Sequence, residues 1–238
     1  MRKFGGEYYF TGKRQICMRY EAVIFDLDGT LINSIDDLAD SCNEMLIAYD
    51  FPTHTVDAYK YFVGNGVGKL VERALPEDKA ADKAFYEKAL AKFREIYNGK
   101  VLNKTRAYSG IRDTLAKLME KEIPMAVCTN KPMEAAKTII NILFEPGTFQ
   151  MVIGDRPGYP RKPDPTTVLE ITEKLGVTPD KVVYLGDSGV DMQTAVNAGF
   201  LPVGVLWGFR EKEELLENGA KLLLEKPTDL LFNVQFKK

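Results

Sequence analysis

A chain of 238 residues, 45% of them hydrophobic, has the material for one large domain or two small ones around a substantial core. Its 32 basic and 34 acidic residues leave a net charge of only -2, which excludes a global field favouring nucleic acid or an anionic membrane surface. The cysteines, Cys17, Cys42 and Cys128, show no CxxC or metal-ligand spacing and point to a reducing cytoplasm, and the single histidine, His54, excludes a His-rich metal site.

Residues 1–18 carry early positive charge without the apolar run of a signal peptide, and read as an extension with Met18 as an alternative start. No stretch reaches the roughly 18 to 20 continuous apolar residues of a membrane helix. The first predicted strand is "EAVIFD", residues 21–26. Residues 34–103 then show helical patterning and no strand, so a helical module is inserted there. Its pieces span 34–50, 55–75 and 77–99, the last placing Phe85, Leu90, Phe93 and Tyr97 near one face. His54, in "FPTHTVDAY", reads as a surface loop or helix start. Linkers fall near 33–35 and 99–108, beside the first strand, where a lid could hinge. Beyond them, predicted strands at 123–129, 149–154, 181–187 and 200–206 alternate with helices at 111–121, 132–143, 164–176 and 191–199. That alternation is the pattern of an α/β protein with a parallel sheet.

Ligands of open α/β sheets bind outside the carboxyl ends of the strands. The first strand delivers Asp26 and Asp28 there, and the second Cys128, Thr129, Asn130 and Lys131. The fourth delivers Gly186, Asp187 and Ser188, with Asp191 four residues on, and Lys162 stands in "RKPDP" after the third. Each pair of ionised carboxylates about 4 Å apart costs on the order of 4 kcal/mol at an effective dielectric of 20. One lysine cannot cancel that, whereas a divalent cation can, and an all-oxygen set suits Mg²⁺. Carboxylates, a lysine, a hydroxyl and a glycine-bordered turn suggest a phosphate bound beside magnesium. Each residue also has a plainer reading. Asp28-Gly29-Thr30 reads equally as a strand-ending turn and helix cap, Asp187, Ser188 and Thr129 as caps, and Lys162 as a solvated loop lysine. Cys128 reads as a small buried strand residue.

The segments "FDLDGTLINS", "CTNK", "RKPDP" and "GDSGVDMQTAVNAG", in this order, resemble the haloacid dehalogenase-like (HAD) hydrolases, in particular the phosphoglycolate phosphatase-like branch. The resemblance covers residues 20–238. It implies a Rossmann-like, HAD-type parallel-sheet core (19–33 and 104–238) with an inserted helical cap (34–103). It further implies an Mg²⁺-dependent phosphatase acting on a small phosphorylated metabolite, with Asp26 as nucleophile and Asp28 as general acid and base. Thr129, Lys162 and the amide of Asn130 would hold phosphoryl oxygens. Asp26, Asp187 and the main-chain carbonyl of Asp28 would ligate the metal, with Asp191 positioning its waters. Asn33 departs from the family pattern, which carries aspartate there, with an expected effect on the hinge and not on chemistry.

The segment "VGNGVGKLVERAL" and the stretch "LWGFR" resemble the phosphoglycolate phosphatase branch. Gly64, Gly66 and Gly68 permit a tight loop whose amides face a small anion, and Lys69 or Arg73 could pair with a carboxylate. The alternative puts Lys69 and Arg73 on a solvated helix face, and Trp207 in packing. A phosphomutase or pyrophosphatase would keep the same core. A phospho-accepting switch, a dehalogenase and a noncatalytic phosphate-binding module are the other readings. A monomer or homodimer is expected.

Overall fold

The apolar run Ala22–Phe25 forms strand β1, with all four residues buried, as a strand covered on both faces requires. The structure is a computed structural model describing residues 19–237; the extension at 1–18, with Cys17 and Met18, lies outside the described residues. After β1 come a short strand β2 (Ile32–Asn33) and five helices: α1 (Ile35–Ile47), α2 (Val56–Phe62), α3 (Val67–Ala74), α4 (Glu77–Ala81) and α5 (Lys83–Asn98). The chain returns through β3 (Arg106–Ala107), α6 (Ile111–Glu120), β4 (Met125–Pro132), α7 (Met133–Leu143) and β5 (Met151–Asp155). It continues with α8 (Thr166–Leu175), β6 (Val182–Gly186), α9 (Gly189–Ala198) and β7 (Leu201–Val205). The last elements are α10 (Lys212–Glu217), β8 (Leu222–Leu224) and α11 (Leu230–Asn233).

Six strands form one sheet in the order β5-β4-β1-β6-β7-β8, every neighbouring pair parallel. Alternating side chains of β1 serve opposite faces. Val23 and Phe25 join the apolar cluster that includes Leu115, Ile139 and Leu230, whereas Ala22 and Ile24 join the one holding Val168, Ile171 and Ala195. From β1 the chain moves to β4 and β5 on one side, and from β6 to β7 and β8 on the other. The crevice between the carboxyl ends of β1 and β6 is therefore a topological switch point, where such sheets place their ligands.

The module between β2 and β3 has its own apolar cluster, including Leu38, Cys42, Met45, Tyr59, Leu70 and Phe93, and joined from the core by Phe209. The predicted 55–75 helix is two helices, because Gly64-Asn65-Gly66 interrupts it with both glycines at positive φ (113° and 85°). The predicted 77–99 helix is also two, since Asp82 accepts hydrogen bonds from the amides of Ala84 and Phe85 and starts α5 afresh. On α5, Leu90, Phe93 and Tyr97 are buried, with the last two rings stacked at 5.6 Å, and Phe85 packs at the edge.

The two linkers pair with each other: β2 and β3 form an antiparallel ribbon, Ile32 opposite Ala107 and Asn33 opposite Arg106. Asn33 is exposed there, and its Oδ1 accepts from the amide of Ile35 at 3.3 Å, at the entry to α1. His54 lies in the loop before α2, its Nε2 2.8 Å from the carbonyl of Ala74 and its ring against Phe62. No helix among the described residues is long and apolar enough to cross a membrane.

Candidate active site

The carboxyl ends of β1, β4 and β6, the segment after β7 and cap residues between 63 and 70 line one pocket, about 540 Å³ of empty space open to solvent. Its walls include Asp26, Asp28, Thr129, Asn130, Lys131, Asp187, Ser188 and Arg210, with Gly64, Gly66 and Leu70 from the cap.

At the floor, Lys162 donates to Asp26 Oδ1 at 2.7 Å and to Asp191 Oδ1 at 2.6 Å. The same ammonium donates to the Tyr184 hydroxyl at 3.1 Å, which donates onward to the Cys128 carbonyl. Lys162 is only 4% exposed at its side chain, so the expectation of a solvated loop lysine does not hold. A lysine is taken out of water this completely only where anions receive it. Burial works to lower its pKa, yet Asp191 and Asp26 outweigh burial and hold it well above the ordinary lysine value.

Asp26, Asp187 and Asp191 each offer a carboxylate oxygen, all within 4.8 Å of one another and all buried. Burial, and then the charge of Asp191, lift the Asp26 carboxyl from an ordinary 3.8 to about 7, against the pull of Lys162. Burial and the charges of Asp191 and Asp26 raise Asp187 well above the carboxylate range, although the Phe209 amide donates to its Oδ2 at 2.8 Å. Asp187 occupies a slot only glycines permit: a Cβ on Gly29 would lie 2.1 Å from Asp187 Oδ2, and one on Gly208 2.2 Å from Asp187 Cβ. Gly29, at φ 86°, also makes the turn after β1.

At the α9 entrance the capping reading holds for Ser188 and not for Asp187, which accepts from the Phe209 amide. The Ser188 hydroxyl and amide donate to Asp191 Oδ2, at 2.6 and 3.1 Å, in a capping box that opens the helix. The other oxygen of Asp191 faces Lys162, so the cap residue is also a site residue.

Asp28 is held from the side. Lys131 donates to both of its oxygens at 2.9 and 3.1 Å, and the Ser34 hydroxyl, at the entry to the cap, donates to Oδ1. Asn130 has a duty beyond its amide. Its side chain donates to the carbonyls of Gly64 and Lys162 and accepts from the Lys162 amide, stapling cap loop, lysine loop and β4 together. Thr129 lies at the pocket wall, 5% exposed, its hydroxyl accepting from the Lys131 amide at 3.2 Å. Cys128 is buried behind it, its thiol pushed up to about 12 by burial, and offers no nucleophile.

The cap residues divide. Gly64 and Gly66 line the pocket, whereas Gly68 packs under Tyr86. Lys69 and Arg73, either of which was to pair with a carboxylate, lie outside the pocket walls. Lys69 is half exposed and paired with Glu72 one helical turn away, and Arg73 donates to the carbonyls of Tyr61 and Phe62 and to Asn65. The solvated-face alternative describes Lys69. Three contributors carry no conspicuous sequence signal of their own. Lys131 is the last letter of "CTNK", Ser34 ends the first motif, and Arg210 closes "LWGFR", where Trp207 also donates to the Thr30 carbonyl at 3.0 Å.

The profile of the haloacid dehalogenase-like hydrolase family matches residues 23–205, a span that contains the segments carrying Asp26, Thr129, Lys162 and Asp187 and stops short of "LWGFR". The chain belongs to that family. Among HAD-like relatives, the Pseudomonas putida KT2440 phosphoglycolate phosphatase is 35% identical over 212 residues, 88% of this chain and 78% of that protein. The Aquifex aeolicus phosphoglycolate phosphatase is 32% identical over 88% of this chain and 94% of its own. Among solved HAD-like structures, a Lactobacillus delbrueckii subsp. bulgaricus protein assigned as a phosphoglycolate phosphatase superposes with a TM-score of 0.83. It is 33% identical, over 90% of this chain and 97% of that one.

Proposed function

We propose that this HAD-like hydrolase is an Mg²⁺-dependent phosphatase that cleaves small phosphate monoesters, 2-phosphoglycolate above all, through an aspartyl-phosphate on Asp26. The observation that carries this reading is the convergence of Asp26, Lys162, Asp187 and Asp191, in which Asp26 and Asp187 line the pocket and Lys162 and Asp191 back Asp26 from behind, with Asp28 at the wall two residues from Asp26. The phosphoglycolate phosphatases among the relatives support the choice of ester.

The donor set fits a divalent hard cation. Lys162 pairs with only two of the three buried carboxylates, and burial first, then the neighbouring carboxylates, raise Asp26 and Asp187, so a further cation would be needed to keep both ionised. Asp26, Asp187 and the main-chain carbonyl of Asp28 would hold Mg²⁺, with Asp191 ordering its waters. Bound there, the ion supplies charge neutralisation for the phosphoryl oxygens.

The side chains divide the rest of the reaction. Lys162 offsets the repulsion between the Asp26 carboxylate and an incoming phosphate dianion, and with Thr129 and the Asn130 amide it holds the equatorial oxygens. Asp26 attacks phosphorus, the bond from phosphorus to the ester oxygen breaks, and Asp28 gives its proton to the departing alkoxide. Asp28 then takes a proton from water attacking the aspartyl-phosphate, releasing phosphate and restoring Asp26. Gly64 and Gly66 close the pocket from the cap, where their amides can face an anion. Free, buried Cys42 and Cys128 support a cytoplasmic setting.

A panel of phosphate esters, sugar phosphates and pyrophosphate, assayed with and without Mg²⁺, tests the reading. Metal-dependent release of phosphate from small esters is expected. Sole turnover of pyrophosphate, or isomerisation of a sugar phosphate without release, would replace it with the pyrophosphatase or phosphomutase alternative.

A further inference from the structure

Lys131 has no task in the reaction above, yet it is among the most thoroughly buried cations of the protein, 2% exposed at its side chain. It follows Thr129 and Asn130 at the end of β4, and its ammonium meets the Asp28 carboxylate. Tyr97 of α5 covers it from the cap, the ammonium lying 5.0 Å from the ring centroid. The Tyr97 hydroxyl is buried beside this ammonium, with no partner within full hydrogen-bond distance among the described residues. Lys131 also forms the pocket wall beside Asp28, Leu38 and Leu70. An ammonium has three donors, and Asp28 accepts two of them.

The other cation of the pocket wall is committed elsewhere. Arg210 donates to the Val63 carbonyl at 2.7 Å and its Nε lies 3.3 Å from Glu214, so it ties the core to the cap loop. The phosphoryl end of a substrate has its own lysine at the floor, Lys162. The leaving-group end meets Leu38, Val67, Leu70 and Phe209, and one cation beside Asp28. An apolar wall with a single buried ammonium suits a short leaving group that carries one negative charge.

We infer that Lys131 is the specificity residue for the leaving group, and that it binds a carboxylate carried directly by the ester carbon. The inference rests on the phosphatase reading and assigns the residue that would recognise the acid end of its substrate. Asp28 must reach the ester oxygen to protonate it, and the Lys131 ammonium lies 2.9 Å from Asp28. An anionic oxygen three covalent bonds from the ester oxygen stands roughly 3 Å from it, within reach of the same ammonium. A longer spacer would carry the charge past Lys131 onto Leu38 and Leu70. Lys131 thus does what Lys69 and Arg73 are placed too far out to do.

The test compares 2-phosphoglycolate with 2-phosphoglycolamide, the same length without the charge, on the Mg²⁺-loaded enzyme, with p-nitrophenyl phosphate as a general ester. The wild type should favour the acid by about 100-fold in kcat/KM, since the amide offers no anion to the donor of the buried ammonium that Asp28 leaves over. Lys131→Met should lose at least about ten times more on the acid than on the amide, and Lys131→Arg should keep part of the preference. An equal loss on both esters would make Lys131 a support for Asp28 alone and overturn the inference. If Lys131→Met does not fold, the wild-type ratio decides: a ratio near one overturns it. Turnover of p-nitrophenyl phosphate without turnover of the acid also overturns it. Failure on every phosphate ester is a different result, because it removes the phosphatase reading itself.

Discussion

Two buried lysine–aspartate assemblies stand at the pocket, built from the same residue types and differing in what they join. Lys162 lies between Asp26 and Asp191, wholly within the α/β core. Lys131 lies between Asp28 and the cap residue Tyr97, with Ser34 of the cap entry on the same carboxylate. The first assembly has more carboxylate than lysine and is suited to a metal and a phosphate. The second balances one carboxylate with one ammonium at the seam where the cap meets the core, and is suited to reading what the phosphate is attached to. Identical ion pairs thus take different work from the number of anions around them and from the segments they connect.

Breaking the first assembly at its nucleophile should have the largest effect. Asp26→Asn is expected to lower turnover of p-nitrophenyl phosphate by at least ~10⁴-fold and to leave no phosphorylated protein on acid quench; normal activity would sink the assignment of Asp26. Breaking the second at Asp28 should be milder. Asp28→Asn is expected to lose ~10²- to 10⁴-fold in turnover, while still accumulating some aspartyl-phosphate from an ester with a good leaving group. Equal loss of the intermediate in both variants would dissolve the distinction between the two aspartates.

Stability sharpens the comparison. Lys162→Met leaves Asp26 and Asp191 facing each other without a cation, and should cost about 3–5 kcal/mol near neutral pH, with part of that recovered in Mg²⁺. Urea denaturation in and out of the metal measures it. The pH dependence follows from the raised carboxyls at the floor. Asp26, at about 7 against an ordinary 3.8, and Asp187, also raised, bind protons more tightly in the folded chain than in the unfolded one. Their contribution to metal-free stability is therefore fullest below about pH 4 and is lost as pH climbs through about 7. Added Mg²⁺ should raise the urea midpoint most at the high end of that range, and a midpoint shift independent of pH would count against metal binding at these groups. The smallest effect belongs to the cap surface. Lys69→Ala should change KM by less than about twofold, because its exposed pair with Glu72 lies outside the pocket.

Much of this protein was legible in its sequence because its chemistry sits on short spacings. Asp26 and Asp28 are two residues apart at the end of an apolar run, and Asp187 and Asp191 are separated by the first turn of a helix, so local geometry alone aims each pair. The parallel sheet was equally legible, since strands buried on both faces read as continuous apolar runs. The ribbon of β2 and β3 was not, because strands of two residues have no periodicity and exist only where the two linkers meet. Nor could the sequence separate Lys131 from Lys69. Each is a lysine near a motif, and what distinguishes them is burial and partner. Lys131 meets an aspartate 103 positions away, Asn130 joins the cap loop 66 positions back, and Arg210 reaches Val63 across 147. The sequence by itself determined which residues can perform the chemistry at the floor. Only the tertiary structure decided which cation stands buried at the pocket wall, because that depends on contacts between distant segments, and an ammonium is forced to hold its partner only where folding has removed it from water.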